Sequence, residues 1–264
     1  ITLKPRRQDG ILGVEIDWVP NSLHTPDSYQ VYRSDSETGE YVMKSEESGL
    51  SYFDSVDESE IGSIFYYYIL ATFNEGVTSV DQADTVSVTI GFSIPGSYDD
   101  IQAGIDSSID GDSISVAVDT YLGSIDFSGK KIKLSCQQAG ACILDGNGSG
   151  PIVSFTQDED TTTVLDGFTI KNGESNQDGG AMVVDSAPLI KNCIFQENTT
   201  TDFGGAVMIK RNAMPILRDC QFIDNQATLD GGAIYCDRDS KPVIDNCIFT
   251  GNMSSSGNGG ALYL

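Results

Sequence analysis

The sequence predicts an all-β chain in two parts, a β-sandwich followed by a β-solenoid. Short runs of alternating apolar and polar residues, separated by polar turns, fill residues 1–91 and are typical of a sandwich. In the last third, similar sequence segments begin at Pro188, Pro215 and Pro242, with a fixed period of 27 residues. A Gly-Gly-Ala motif alternates with it. A fixed period of this size, built from short β-type runs, indicates a solenoid.

Composition limits the classes of function. The chain has 264 residues, with 39 Asp or Glu against 15 Lys or Arg, and a formal charge of −24. Nucleic acids and anionic membrane surfaces are bound through basic patches, so neither is expected as a partner. No apolar run approaches the length that crosses a membrane, and no membrane insertion is expected. Because the chain stops soon after the fourth Gly-Gly-Ala, we expect a solenoid truncated at its C-terminal end.

The first domain is expected to cover residues 1–91. Val14, Ile16 and Trp18 alternate with acidic residues, which predicts a strand with one buried and one exposed side. Similar alternation predicts strands within residues 29–33, 65–71 and 86–90, with polar loops at 34–40 and 74–76.

This order of strands resembles a fibronectin type III domain. The likeness is carried by Trp18 on the second strand, by Ser-Tyr-Phe-Asp at 51–54 and by the segment 62–76. The resemblance implies a fibronectin type III-like sandwich that acts as a spacer, with Trp18 in its core. The family usually places a tyrosine where Phe65 lies. Either Tyr66 or Tyr67 replaces that hydroxyl group here, or this corner of the domain is weaker.

The second domain is expected to cover residues 92–264 and to begin with a short helix. Ile101, Ile105 and Ile109 recur every four residues within 98–109, the apolar spacing of an amphipathic helix. Ser97 and the acidic residues at 99–100 supply a cap and negative charge at its start. We expect this capping helix to cover the first coil, whose apolar interior would otherwise face water.

The strands that follow are predicted within residues 113–118, 131–134, 143–148, 152–155 and 164–173. This succession resembles bacterial right-handed parallel β-helix proteins of the pectin-lyase-like superfamily. The likeness is carried by DIQAGI at 100–105, DGD at 110–112, TY at 120–121, GKKI at 129–132 and LDGNG at 144–148. The resemblance implies a right-handed parallel β-helix over the whole second domain.

The repeat pattern also predicts which side chains line the interior of each coil. Ile190, Cys193 and Phe195 are expected to point inward, and Ile216 and Ile244 to occupy the place of Ile190 in the next two coils. Equivalent side chains of successive coils then stack along the axis. We expect four such ladders: Cys193, Cys220 and Cys247; Phe195, Phe222 and Phe249; Asn198, Asn225 and Asn252; Gly180, Gly205, Gly232 and Gly260.

Turn residues and charges follow the same period. The Gly-Gly-Ala glycines suit backbone with positive φ, and residues 192, 219 and 246 mark a bend between strands. Lys191, Arg218 and Asp245 share one outward column, so Arg218 and Asp245 can pair across coils. An exposed pair of this kind stabilises by only about 0–1 kcal/mol.

The Phe-x-x-Asn and Gly-Gly-Ala repeats of residues 168–264 resemble those of the polymorphic outer membrane protein family. Its members are bacterial surface autotransporters whose β-helical passengers act as adhesins. The resemblance implies an extracellular or outer-membrane-associated location on the bacterial cell surface. It also implies a polysaccharide, or a protein on a host or neighbouring cell, as partner.

The six cysteines fall into two groups. A single column of cysteines in the repeat favours small buried thiols over disulfides or metal ligands. No Cys-x-x-Cys pair occurs and His24 is the only histidine, so no zinc site is expected. Cys136 and Cys142 lie six residues apart, and either close a loop disulfide or remain thiols.

Enzymes of the pectin-lyase-like superfamily cluster a base and charge-neutralising groups on one face, often around calcium. The charged residues of the repeats that could take these roles are Lys191, Lys210, Arg211, Arg218, Arg238, Lys241, Asp219, Asp237 and Asp239. They form no recognisable constellation, and active sites tend to interrupt repeats with longer loops. We therefore expect no catalytic, cofactor or metal site within these residues.

Two main interpretations remain. The favoured one is a non-enzymatic fragment of a secreted or surface-anchored bacterial protein, with a spacer domain and an adhesive β-helix that binds a glycan or a protein. The alternative is the N-terminal part of a polysaccharide lyase or glycoside hydrolase whose active site lies elsewhere in the full chain. No cofactor is expected, although Asp178, Asp202 and Asp230 beside the Gly-Gly-Ala turns leave calcium open.

Overall fold

The computed structural model describes residues 1–19, 26–73, 77–78, 85–89, 91–177 and 179–264. The expected turn at 74–76, Ile90 of the last sandwich strand and Asp178 lie outside these residues. The described residues form two compact units, Ile1–Phe92 with Gly96–Tyr98, and Ser93–Pro95 with Asp99–Leu264. Within the described part of the chain, no helix has the length and hydropathy to span a membrane.

The first unit is a sandwich of two antiparallel sheets. Its strands are β1 (Thr2–Gln8), β2 (Ile11–Asp17), β3 (Ser28–Ser34), β4 (Val42–Glu47), β5 (Ser51–Ser55), β6 (Ile64–Phe73), β7 (Val77–Thr78) and β8 (Val86–Thr89). A 3₁₀ helix at Glu58–Glu60 connects β5 to β6. One sheet has the order β1-β2-β5, and the other has the order β4-β3-β6-β7, with β8 also paired to β6.

The predicted alternation fills the sandwich core. Val14 and Ile16 of β2 have no exposed surface, and Trp18 is 6% exposed. Across the core, Val31 of β3 is equally buried. The Trp18 ring meets the Tyr29 ring edge to face, with 5.5 Å between centroids. Trp18 is therefore a core residue, as the sequence predicts.

Tyr67 supplies the hydroxyl group that Phe65 lacks. Its phenol is buried and donates a hydrogen bond of 2.9 Å to Oδ2 of Asp54 on the opposite sheet. The Arg33 guanidinium donates to the same oxygen at 2.9 Å and lies over the Phe65 ring. Burial and the neighbouring carboxylate both raise the pKa of Tyr67, so its proton stays in this bond. The tyrosine therefore joins the two sheets through a carboxylate.

The second unit is a parallel β-helix preceded by one helix, α1 (Ile101–Ser107). Its strands are β9 (Phe92–Ile94), β10 (Ser113–Val116), β11 (Thr120–Leu122), β12 (Ile125–Asp126), β13 (Lys133–Cys136), β14 (Cys142–Asp145), β15 (Val153–Phe155), β16 (Val164–Asp166), β17 (Phe168–Lys171), β18 (Glu174–Ser175), β19 (Met182–Val184), β20 (Leu189–Lys191), β21 (Ile194–Gln196), β22 (Thr199–Thr200), β23 (Val207–Ile209), β24 (Ile216–Arg218), β25 (Gln221–Ile223), β26 (Gln226–Ala227), β27 (Ile234–Cys236), β28 (Val243–Asp245), β29 (Ile248–Thr250), β30 (Met253–Ser254) and β31 (Leu262–Tyr263).

These strands stack into four sheets that run along the solenoid axis. Sheet I has the order β28-β24-β20-β16-β13-β10-β9, and sheet II the order β11-β14-β17-β21-β25-β29. Sheet III has the order β18-β22-β26-β30, and sheet IV the order β12-β15-β19-β23-β27-β31. The all-β fold class, a sandwich followed by a β-solenoid, is thereby confirmed.

Helix α1 lies within the expected segment 98–109, but it begins at Ile101 with Asp100 and not Ser97 as its cap, and it ends before Ile109. Asp100 is its N-cap, with the carboxylate accepting a 2.7 Å bond from the Ala103 amide. Ile101 and Ile105 are buried, and Gln102 exchanges two hydrogen bonds with the backbone of Asp126 in the first coil. The helix ends at Ser107, and Ile109 is 43% exposed. The expectation that Ile109 belongs to the buried face was wrong because the helix stops before a third turn.

One register expectation was also wrong. Ile216 pairs with Leu189 in sheet I, whereas Leu217 pairs with Ile190. Leu217 has no exposed surface and Ile216 is partly exposed. Both positions after the proline are apolar, so the alternation of polarity does not reveal which one points inward. The period of 27 residues does, because it places Leu217 and not Ile216 opposite Ile190.

Candidate functional site

An asparagine ladder runs through the turns between sheets II and III. The Oδ1 atom of Asn225 accepts bonds from the backbone amide and the side-chain amide of Asn198, at 3.1 and 2.9 Å. The Oδ1 atom of Asn252 likewise accepts bonds from the backbone and side-chain amides of Asn225, both at 3.0 Å. Each Nδ2 atom also donates to a carbonyl of the preceding coil, such as that of Phe195. Every buried amide of this column therefore has a partner, and the side chains fix the spacing of the coils.

Aromatic rings and thiols stack in the interior. The rings of Phe195, Phe222 and Phe249 lie parallel, with 4.8 and 4.9 Å between successive centroids. Cys193, Cys220 and Cys247 are free thiols, each with its sulfur 3.6 to 3.8 Å from a carbonyl oxygen of the preceding coil. Cys236 is a fourth free and buried thiol.

A raised pKa makes Cys220, Cys236 and Cys247 poor nucleophiles. Contact with the Cys193 thiol and burial raise the pKa of Cys220, and contact with Cys220 and burial raise that of Cys247. Burial alone raises the pKa of Cys236 to about 12. Since the thiolate is the reactive and metal-binding form, the column acts as apolar packing.

A disulfide joins Cys136 and Cys142, whose Cα atoms are 5.7 Å apart. The loop that it closes lies against the next coil. Gly140 donates a backbone bond of 2.7 Å to Gly167 and accepts a bond of 2.8 Å from the Thr169 hydroxyl. The disulfide therefore holds this loop on the outside of sheet II.

The two glycines of each Gly-Gly-Ala motif differ in conformation. Positive φ belongs to the first glycine, with values of 71° at Gly179, 68° at Gly204, 72° at Gly231 and 66° at Gly259. The second glycines, which form the expected ladder, are not in that region. The expectation of positive φ was therefore right for the first glycine and wrong for Gly180, Gly205, Gly232 and Gly260.

The charged residues proposed as possible catalytic groups do not converge. Lys191 pairs with Asp166 at 3.0 Å, and Arg218 pairs with Asp245 at 3.1 Å, as the shared column predicts. The Asp219 carboxylate accepts a bond of 2.5 Å from Asn246. The remaining six, Lys210, Arg211, Asp237, Arg238, Asp239 and Lys241, lie in connections between sheets IV and I. Lys191, Arg211 and Arg218 each pair with a different aspartate along the coils.

Asp202 and Asp230, beside two of the Gly-Gly-Ala turns, have local partners. The Asp230 carboxylate accepts bonds from the backbone and side-chain amides of Asn258, at 2.5 and 3.2 Å. The backbone amide of Asp202 donates a bond of 3.1 Å to the Thr200 hydroxyl oxygen. Among the residues that the structure describes, no group of three or more His, Cys, Asp or Glu side chains is placed to hold a metal ion.

Phe203, Tyr235 and Tyr263 form an outward-facing row of aromatic rings on sheet IV, which we call the aromatic file. It was not predicted from the sequence. The Tyr235 ring lies 4.6 Å from the Phe203 ring and 5.2 Å from the Tyr263 ring, between centroids. Met208 precedes Tyr235 in the same outward column of the sheet. All three rings are partly exposed. The signal was present, because Tyr235 and Tyr263 each follow their Gly-Gly-Ala motif by two residues.

A groove of about 400 Å³ opens beside α1, between its first turn and the corner at residues 120–125. Its polar groups already have partners. Asp100 caps the helix, Gln102 binds Asp126, and the Tyr121 hydroxyl donates to the Ala117 carbonyl at 2.9 Å. The groove therefore offers shape but few free hydrogen-bonding groups.

Comparison with known proteins identifies the family. The model of the right-handed β-helix region matches residues 120–263, more than half of the chain. The chain therefore belongs to the right-handed β-helix family, and its solenoid is right-handed. No curated protein matches it.

Several solved structures are similar over most of their length. Pectate lyase Pel3 from Pectobacterium carotovorum has 11% identity and a TM-score of 0.26, over 94% of this chain and 79% of that chain. Pectate lyase PelI from Erwinia chrysanthemi, in complex with tetragalacturonic acid, has 10% identity and the same TM-score, over 94% and 78%. The family 28 exopolygalacturonase of Yersinia enterocolitica has 8% identity and a TM-score of 0.26, over 98% and 88%. Scores this low transfer no activity to this chain.

Proposed function

We propose that this chain is a non-catalytic part of a secreted or surface-anchored bacterial protein, in which the β-helix is an adhesive scaffold for a neutral polysaccharide. In this proposal the sandwich is a fibronectin type III-like spacer. Its sheets of order β1-β2-β5 and β4-β3-β6-β7 support that resemblance.

The observation that carries the proposal is the aromatic file of Phe203, Tyr235 and Tyr263. It runs along the solenoid axis on the outside of sheet IV, so it presents a repeating surface to a repeating ligand. Aromatic rings contribute large apolar area and, in tyrosine, a hydroxyl group for hydrogen bonds. Such residues carry much of the binding energy at recognition surfaces.

Charge and cysteine chemistry support the rest. A formal charge of −24 repels polyanions such as polygalacturonate, which favours a neutral glycan. The Cys136–Cys142 disulfide is typical of an oxidising compartment, which supports an extracellular or cell-surface location. The repeats that resemble polymorphic outer membrane proteins support the same location.

The test is binding of the purified chain to immobilised neutral polysaccharides (cellulose, xylan and mannan) beside polygalacturonate. We expect binding to at least one neutral glycan, and a loss of about tenfold or more in affinity, about 1.4 kcal/mol, for Tyr235→Ala with Tyr263→Ala. Gln221→Ala with Ile248→Ala on sheet II is the matched control and leaves affinity unchanged.

Two results would contradict the proposal. One is equal binding by the tyrosine variant and the native chain, which would show that the ligand does not bind at sheet IV. The other is release of unsaturated oligosaccharides from polygalacturonate, which would identify a lyase. Circular dichroism of each variant verifies that the coils are intact.

A further inference from the structure

The outer side of the sandwich's larger sheet carries a cluster of tyrosines. Strand alternation places Tyr32 of β3 and Tyr68 of β6 there, as direct cross-strand partners. Their rings stack with 4.7 Å between centroids and 14° between planes. The Tyr41 ring is tilted over Tyr68 at 4.8 Å. Met43, the neighbour of Tyr32 in β4, is 49% exposed.

This cluster is separate from the sandwich core. Val31 and Tyr67 point to the other side of the same strands and are fully buried. Tyr32, Tyr41 and Tyr68 are partly exposed, as is Tyr66 beside them. We call Tyr32, Tyr41, Met43, Tyr66 and Tyr68 the tyrosine face. It holds four of the 11 tyrosines of the chain. A spacer needs no aromatic residues on its solvent-exposed side, whereas tyrosine is enriched where proteins bind partners.

The rim of the tyrosine face is acidic. The segment from Ser34 to Glu47 forms the loop before β4 and β4 itself. It contains five carboxylates against one lysine: Asp35, Glu37, Glu40, Glu46 and Glu47, with Lys44. Lys44 is already paired, with its Nζ 3.3 Å from the buried carboxylate of Asp54. The rim therefore presents uncompensated negative charge around an aromatic centre.

We infer that the tyrosine face docks a partner protein through a basic surface of that partner. Lysine and arginine side chains suit both parts of the face, because they pair with the rim carboxylates and make cation–π contacts with tyrosine rings. A second copy of this chain is disfavoured, since two acidic rims would repel each other. A neutral glycan would leave the rim unused. This inference goes beyond the proposed function, because it gives the sandwich a binding role of its own.

The test uses a displayed library of random twelve-residue peptides, selected on the full chain. We expect enriched peptides that contain several Lys or Arg residues. Tyr68→Ser should weaken their binding by about tenfold or more, and Glu40→Gln with Glu46→Gln should weaken it and reduce its dependence on salt.

Tyr263→Ala on the β-helix is the control variant, and it should leave peptide affinity unchanged. Loss of glycan binding in Tyr263→Ala alone, and of peptide binding in Tyr68→Ser alone, would separate this inference from the proposed function. Selection of peptides without a basic bias would overturn the inference. So would undiminished peptide binding by a folded Tyr68→Ser chain, Tyr68-dependent glycan binding, or a Tyr68-dependent dimer in sedimentation.

Discussion

The second glycine of each of the first three Gly-Gly-Ala motifs lies against the backbone of the next coil. A Cβ atom added to Gly205 would lie 2.1 Å from the carbonyl oxygen of Gly232, and one added to Gly180 would lie 2.3 Å from that of Gly205. Backbone atoms cannot move aside without shifting a whole coil. Glycine is therefore required here by contact between coils, whereas the first glycine is required by its positive φ.

Gly205→Ala should destabilise the β-helix by about 2–3 kcal/mol, the usual cost of forced overpacking. The matched control is Gly260→Ala in the same column. There an added Cβ would meet only the Asn252 carbonyl oxygen, at 3.6 Å, an ordinary contact. We expect a change below about 0.5 kcal/mol for that variant. Urea unfolding of the two variants measures the difference, and equal effects would show that the contact between coils is not the constraint.

Side-chain direction was predictable where the repeat is strict and the neighbouring residues differ in polarity. Cys220 and Phe222 flank the polar Gln221, so alternation places both inside, and the period of 27 residues extends this to Cys193 and Phe195. Ile216 and Leu217 are both apolar, and alternation cannot separate them. The outward Phe203 has no aromatic counterpart in the next coils, where Asp230 and Asn258 precede the glycines. Its place in the aromatic file depends on the turn geometry, which the period does not encode.

The Lys130 side chain caps the C-terminal end of helix α1, although it lies in a distant part of the sequence. Its ammonium group donates to the carbonyl oxygens of Ile105, Asp106 and Ser108, at 2.7, 2.5 and 2.8 Å. The last carbonyls of a helix lack partners in a following turn, and a cation is favoured at the negative end of the helix dipole. The Ile105 carbonyl also accepts a bond of 3.1 Å from the backbone amide of Ser108. Burial lowers the pKa of Lys130, against the opposing effect of nearby aspartates. One lysine thus fixes the helix over the first coil.

Lys130→Met should destabilise the N-terminal end of the β-helix by about 2 kcal/mol, because it removes charged hydrogen bonds and leaves carbonyls without partners. Lys131→Met is the matched control. The Lys131 ammonium makes an exposed pair with Asp160 at 3.1 Å, and exposed pairs of this kind contribute little to stability. Hydrogen exchange of the α1 amides reads the local effect. Unchanged protection of α1 in Lys130→Met would contradict this role.

The secondary-structure elements could be predicted from local sequence. The contacts that hold the elements together could not. The spacing of Ile101 and Ile105 and the Asp100 cap predict the helix start from adjacent residues. The Gly-Lys-Lys-Ile motif was visible at 129–132, but its contact with α1 joins residues 22 to 25 positions apart. Only the return of the chain after one full coil places Lys130 beneath the helix. Contacts of that kind depend on the path of the coil.

The whole molecule carries far more acid than its ion pairs can neutralise. The chain has 39 Asp or Glu residues against 15 Lys or Arg residues, and ion pairs such as Arg218–Asp245 are exposed. The compact state therefore holds many carboxylates closer together than the unfolded chain does. Self-repulsion of this kind opposes folding and is screened by salt.

Melting temperature should rise when NaCl increases from about 0.01 M to about 0.15 M, where the Debye length falls from about 30 Å to about 8 Å. A gain of about 1 kcal/mol corresponds to about 2–4 °C for a chain of this size. CaCl₂ at equal ionic strength should give about the same rise, because the Asp230 carboxylate already binds Asn258. A clearly larger rise with calcium would instead indicate specific sites at the Gly-Gly-Ala turns. A fall in melting temperature with added NaCl would show that ion pairs outweigh the repulsion between carboxylates.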